Sequence, residues 1–235
     1  MKITSYYILL FLLCIAGASC KKDNYKAPSS TLSGKLMYKG ETIGVEQYQV
    51  PYELYQYGFG KVGAIGSSFG QDGTFSALLF DGDYKLIVPN GQGPFRWKYL
   101  ASGAPDSIAV TLKGSQTLDL EVTPYYMIRT PQITGASGNV SATFKAEKII
   151  TDANAKNIER VNIYINKTQF VSGNNDQNIG NTSMAGSAIA DPNNIKLSVT
   201  VPKITPTQTY VFARIGLKVA GVEDLIYSPV MKVQY

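Results

Sequence analysis

The chain has 235 residues, no histidine, two cysteines, and 22 basic against 17 acidic residues, for a net charge of +5. Without histidine it has no Ser-His triad, no His-ligated zinc and no imidazole general base. Its basic residues are scattered, with Lys21-Lys22 the only adjacent pair, whereas a nucleic-acid binder carries a clustered basic patch, so nucleic acid is not expected as a partner.

The chain opens with Lys2, an apolar run from Tyr6 to Ile15, and small residues up to Ser19. That run is about ten residues, and a bilayer span needs about 20. Residues 1–19 therefore read as a cleaved signal peptide. Cys20 directly after Gly17-Ala18-Ser19 resembles a bacterial lipobox, with Gly17 where leucine is usual. The resemblance implies lipidation of Cys20 and attachment to a membrane. Each buried lipid CH₂ contributes about 0.8 kcal/mol, so two or three chains make a firm anchor. Cys14 would leave with the signal, so the mature chain has no disulfide and depends on core burial. Residues 20–29 read as the lipidated cysteine and a polar tether.

The first domain is expected over residues 30–122. Leu32 to Tyr38 alternates, and Lys39-Gly40 turns. Residues 45–57 form a long β-rich run. It places Tyr48, Val50, Tyr52 and Leu54 on a core face, and Glu53 and Tyr55 opposite. Pro51 removes a ladder hydrogen bond and marks an edge or bulge. Residues 58–70 are glycine-rich. Next come the steps Asp72-Gly73, Asp81-Gly82 and Asn90-Gly91, which bound strands at 74–80 and 83–89 and read as a hairpin. Tyr84, Leu86 and Val88 share the core face there. Residues 90–105 make a long connection, and 106–112 and 116–122 close the domain.

Ser33-Gly34-Lys35-Leu36, Val50-x-Tyr52-x-Leu54-Tyr55, Asp72-Gly73-Thr74-Phe75 and Asp81-Gly82-Asp83-Tyr84-Lys85-Leu86 occur in an order that resembles carboxypeptidase-regulatory-like (prealbumin-like, Cna-B-type) domains. The resemblance implies a β-sandwich and is nearly silent on function.

Thr123-Pro124 is the joint to a second domain, residues 124–235. Strand-length runs at 125–134, 139–147, 158–171, 194–202, 209–219 and 225–233 suit a second β-sandwich. The last two resemble the closing strands of fibronectin type III or Ig-like domains. Residues 171–193 are polar and read as a long loop. The fold class is therefore all-β, two tandem β-sandwich domains after a lipoprotein signal peptide. This layout resembles a family of Bacteroidetes outer-membrane lipoproteins found beside SusC/SusD-type glycan-uptake systems. That resemblance implies polysaccharide and SusC/SusD-type proteins as partners, and an outer-membrane, cell-surface location.

Two aromatic rows are candidate glycan sites. Phe95, Trp97 and Tyr99 alternate with Arg96 and Lys98, so an extended segment puts three rings on one side. Such rings stack on the C–H faces of sugars, or they plug the core. Tyr55, Tyr57 and Phe59 form the second row, which suits a sugar chain or a protein partner. Asp72, Asp81 and Asp83 cluster, yet Asp-Gly turn chemistry accounts for Asp72 and Asp81 without a metal or an acid-base pair. The expected function is a non-catalytic, lipid-anchored glycan binder with no cofactor. The alternative is an assembly subunit that binds a protein partner.

Overall fold

The computed structural model describes residues 26–58 and 63–235. The expected signal peptide, Cys20 and Phe59 lie outside the described residues. Apart from two three-residue 3-10 turns, the elements are β-strands.

In the first domain one sheet is built on Ser30–Tyr38. It pairs antiparallel with Glu41–Thr42 and Thr74–Leu79, and parallel with Gln116–Thr117 and Leu120–Glu121. The facing sheet runs Ala64–Ser68, Pro51–Gln56, Gly82–Ile87, Ile108–Leu112, antiparallel throughout. Period-two alternation sends Leu32, Leu36, Phe75 and Leu79 from one sheet against Tyr52, Leu54, Tyr84 and Leu86 from the other, all buried. The Tyr52 ring lies 5.1 Å from both Phe69 and Phe75 and bridges the sheets. Fully burying one such side chain contributes about 1.5–3 kcal/mol.

Two expectations are corrected. The strands on either side of Asp81-Gly82 do not pair with each other. Thr74–Leu79 joins one sheet and Gly82–Ile87 the other, so the turn is an arch between layers. Asp81 fixes that arch by accepting from Ser30 Oγ at 2.5 Å and from Gly114 N at 2.9 Å. The run 45–57 is also not one strand. Pro51 cannot donate to a ladder, and the strand begins there. Before it Tyr48 turns at φ 59° and stands 69% exposed, not in the core.

The second domain packs Tyr126–Ala136, Asn139–Lys148 and Ile195–Thr200 on a second sheet. That sheet orders Gly180–Ala185, Ile158–Asn166 and Tyr210–Val219, with Leu225–Tyr227 and Met231–Gln234 both on Tyr210–Val219. The expected loop 171–193 contains the strand Gly180–Ala185. Its sequence, GNTSMA, carries almost no apolar signal because it is a solvated edge.

A single buried apolar cluster runs through both domains, from Leu32 to Val233. The seam is polar as well. Tyr227 N donates to Gly44 O at 2.9 Å. Arg129 bridges Glu41 of the first domain and Glu147 of the second. Buried Arg214, from Tyr210–Val219, donates to Ser228 O at 2.7 Å, to Val45 O at 3.1 Å and to Gln71 O.

Asp224 accepts from Gly93 N across the same seam at 2.8 Å. Burial pushes its carboxyl above the ordinary value, although the Gly93 hydrogen bond opposes this. A carboxyl whose folded pKa exceeds its unfolded one stabilises the fold fully below the unfolded pKa. That contribution is lost as pH rises through the folded pKa. Asp224→Asn keeps an acceptor for Gly93 and removes the titration. Its Tm relative to the parent is expected to be more favourable at pH 7 than at pH 3. An equal difference at both pH values would show that the buried charge costs nothing.

Candidate functional site

The segment expected to stack on sugar divides in two. Phe95 and Trp97 are each 4% exposed and belong to the core. Trp97 Nε1 donates to Asp106 O at 2.7 Å, so its polar edge is also satisfied inside the fold. The reason is the alternation itself. The strand Phe95–Arg96 pairs with Thr123–Pro124 at the seam, and its alternate residues close the core there. With 4% of its surface exposed, neither ring offers a face on which a sugar could stack. Arg96 stays half-buried on the outer side, and Tyr99 is 37% exposed.

Tyr55 and Tyr57 lie on the outer side of the Pro51–Gln56 sheet, opposite Tyr52 and Leu54. Tyr55 is half-buried and its hydroxyl donates to Glu53 Oε2 at 2.7 Å. Tyr57 is largely exposed, with the Lys85 ammonium 5.6 Å from its ring centre. The three clustered aspartates are turn and strand fixtures. Besides Asp81, Asp72 accepts from Thr74 Oγ1 and Asp83 from Thr111 Oγ1, each at 2.6 Å. Among the described residues no group of three or more His, Cys, Asp or Glu side chains could hold a metal.

Sequence reading missed a cleft that combines exposed rings with polar side chains. Tyr48 from the first domain and Phe170 from the second, 43% exposed, line one cleft of about 620 Å³. Between them lie Gln47, Ser67, Ser68, Gln71, Asp72, Ser76 and Gln169. Its walls are held by hydrogen bonds across the seam and within each domain. Gln71 Nε2 donates to Gln169 O at 3.0 Å, and Gln71 N donates to Gln47 Oε1 at 2.7 Å. Asn166 Nδ2 donates to Phe170 O at 2.6 Å, which fixes the backbone that presents the ring. Burial pushes the Asp72 carboxyl up, but the hydrogen bonds from Thr74 outweigh it and leave it below the usual value. Asp72 is therefore a carboxylate at neutral pH. It is the single acid among the described residues lining the cleft, so the cleft offers no carboxyl pair for glycoside hydrolysis. What it offers is two exposed rings, amides, hydroxyls and one carboxylate. Tyr48 and Phe170 each look like a loop aromatic in the sequence, and nothing in their spacing says that they meet.

Comparison with known proteins then places the chain. Residues 30–123 match the N-terminal domain of a protein of unknown function, DUF3823, and residues 126–232 match the domain of unknown function DUF3823_C. A crystal structure of a DUF3823 family protein from Parabacteroides merdae is 33% identical. The match covers 89% of this chain and 100% of that one, with a TM-score of 0.75. The chain belongs to the DUF3823 family.

A second DUF3823 structure, from Bacteroides ovatus, is 28% identical over 88% of this chain and 99% of that one, with a TM-score of 0.73. A Bacteroides uniformis structure provisionally described as a carbohydrate binding protein is 18% identical, covers 88% and 100%, and has a TM-score of 0.64. At that identity it shares the DUF3823 fold and nothing more is carried over. No curated protein matches the sequence. The DUF3823 relatives come from the bacterial lineage that the layout of the sequence suggested.

Proposed function

We propose that this chain is a non-catalytic, lipid-anchored protein of the outer-membrane surface that binds polysaccharide as an accessory to glycan uptake, and that the Tyr48–Phe170 cleft takes the sugar. The observation that carries the reading is the cleft itself, in which exposed rings from two domains share one lining with amide and hydroxyl side chains. Tyrosine and phenylalanine supply contact area for few lost rotamers, and amides and hydroxyls read the sugar's own hydroxyls. Tyr48 holds a left-handed backbone that costs a non-glycine residue about 1–2 kcal/mol. Such strain concentrates where a side chain must be presented. The carbohydrate description of the Bacteroides uniformis neighbour supports the same direction. Lipid anchoring draws on Cys20 after Gly17-Ala18-Ser19, and the link to SusC/SusD-type systems on the layout of the chain.

The test is retention of the soluble chain, residues 21–235, on a panel of immobilised polysaccharides, with folding checked by circular dichroism. One or more polysaccharides should retain it. Tyr48→Ala and Phe170→Ala should each weaken binding about tenfold, equivalent to about 1.4 kcal/mol. Tyr57→Ala should leave it unchanged. No retention on any polysaccharide, or a Tyr48→Ala, Phe170→Ala double variant that binds like the parent, would sink the reading.

A second reading, an assembly subunit, draws on the strand Ala64–Ser68. Among the described residues it pairs on one side only and is exposed along most of its length. Edge strands of this kind accept a strand from a partner. A stoichiometric protein co-purifying from solubilised membranes would favour it.

A further inference from the structure

We propose that the seam between the domains carries a second subsite, anchored by Arg96, that reads the carboxylate of an acidic sugar. It takes its ligand class from the glycan reading above and rests on a different cavity. That cavity, about 520 Å³, is lined by Arg96, Trp97 and Lys98, by the connection through Val122, and by residues 149–152 of the second domain. It shares no lining residue with the Tyr48–Phe170 cleft.

The charges lining the cavity differ in what already holds them. Two carboxylates line the cavity. Glu121 accepts from Lys39 N at 2.7 Å. Asp152 accepts from Asn154 N at 2.8 Å and Nδ2 at 3.1 Å, and these bonds hold its carboxyl below the usual range. The cations keep their donors. The side chains of Arg96 and Lys98 make no hydrogen bond and no ion pair among the described residues; the Arg96 guanidinium has the Tyr99 ring 6.0 Å away and feels the charge of Asp152 across the cavity without bonding to it. The Arg96 backbone is pinned, because it pairs with Thr123 in the seam. A half-buried guanidinium with its donors free is a ready fork for a carboxylate.

The two acids decide what kind of anion fits. They repel a doubly charged phosphate. They accept hydroxyl donors, which a uronic acid residue has in plenty beside its single charge. Tyr99 adds an exposed ring at the rim.

Trp97 is the sole tryptophan and lines this cavity, so its emission reports on it directly. The soluble chain is titrated with oligogalacturonate and with its methyl ester, the same sugar without the charge. Oligogalacturonate should change Trp97 emission, saturably and more weakly as salt rises. The ester and Arg96→Gln should each lose about tenfold in affinity or more, as removing a hydrogen bond to a charged group does. Lys98→Gln, at an exposed position, should lose less and keeps the test open if Arg96→Gln does not fold. No emission change with oligogalacturonate, an equal response to the ester, or an Arg96→Gln variant that binds like the parent would each overturn the subsite. Tyr48→Ala should keep the Trp97 response. Neutral polysaccharide binding that needs Tyr48, with no uronate response, would remove this subsite and leave the glycan reading standing. No binding to any polysaccharide removes the reading itself.

Discussion

Arg214→Met should lower the stability of the whole chain by about 3–5 kcal/mol, comparable to removing one partner from a buried charged network. The arginine is 1% exposed and lies on a strand whose other face is already core. Its guanidinium reaches Ser228 O in its own domain and Val45 O and Gln71 O in the other. It also lies 4.4 Å from the Tyr227 ring centre, a desolvated cation–π contact. Burial pushes the guanidinium down to about 10, which still leaves it charged at neutral pH. Methionine fills the stem but leaves those carbonyls buried without this donor, at about 1–3 kcal/mol each. Arg214→Lys should fall between, since the compact ammonium keeps the charge but lacks the planar fork that spans acceptors on both domains. Urea denaturation decides it. One transition with a lower midpoint and an unchanged slope is expected. A loss below about 1 kcal/mol would mean that apolar packing alone holds the seam.

Glycine-to-alanine changes at the three turn steps should differ sharply although the sequence signal is the same. Gly73, Gly82 and Gly91 all have positive φ, at 77°, 153° and 80°. Each substitution carries a conformational cost of about 1–2 kcal/mol. At Gly91 nothing lies within 4 Å of the added carbon, so that is the whole cost. At Gly82 the carbon meets the end of the Gln56 side chain at 2.5 Å, which can swing aside. At Gly73 it would lie 2.1 Å from Ile43 O, a backbone atom held in place by the neighbouring strands. Overpacking adds about 1–3 kcal/mol, so Gly73→Ala should lose about 2–5 kcal/mol in total. The same turn carries Gln71 and Asp72, so it should also weaken glycan binding. Equal midpoints for Gly73→Ala and Gly91→Ala would show that the turn relaxes freely.

These glycines also show where the sequence stops being legible. A turn is a local event, and Asp-Gly announces it. Whether the flanking strands pair or cross between sheets depends on partners far along the chain, here Ser30 and Gly114 on Asp81. Alternation identified Tyr52, Leu54, Tyr84, Leu86 and Val88 as core because burial on a strand has period two. The same period puts Phe95 and Trp97 inside, and no local rule told that row from a sugar platform. Tyr48 fell on the right period for burial but outside the strand. Phe170 and Gly180–Ala185 have solvated surroundings, so neither carries a pattern. Arg214 is the clearest limit. An arginine amid Val211, Ala213, Ile215 and Leu217 reads as an outward residue, and only the first domain's docking makes outward mean buried.

The parallel pairing within the first domain determines how the molecule stands. Ser30–Tyr38 runs alongside Gln116–Thr117 and Leu120–Glu121 in the same direction, with Leu36 beside Leu120 and Met37 beside Glu121. The polypeptide therefore enters this domain at one pole and leaves at the other. Eight steps of extended chain separate the poles by roughly 26 Å. The seam, with its cleft and its Arg96 cavity, belongs to the exit pole. The first domain thus acts as a pedestal, setting the seam a full domain height away from residue 30; under the proposed function, an anchor ahead of that residue would leave the cleft clear of the membrane and within reach of polymer.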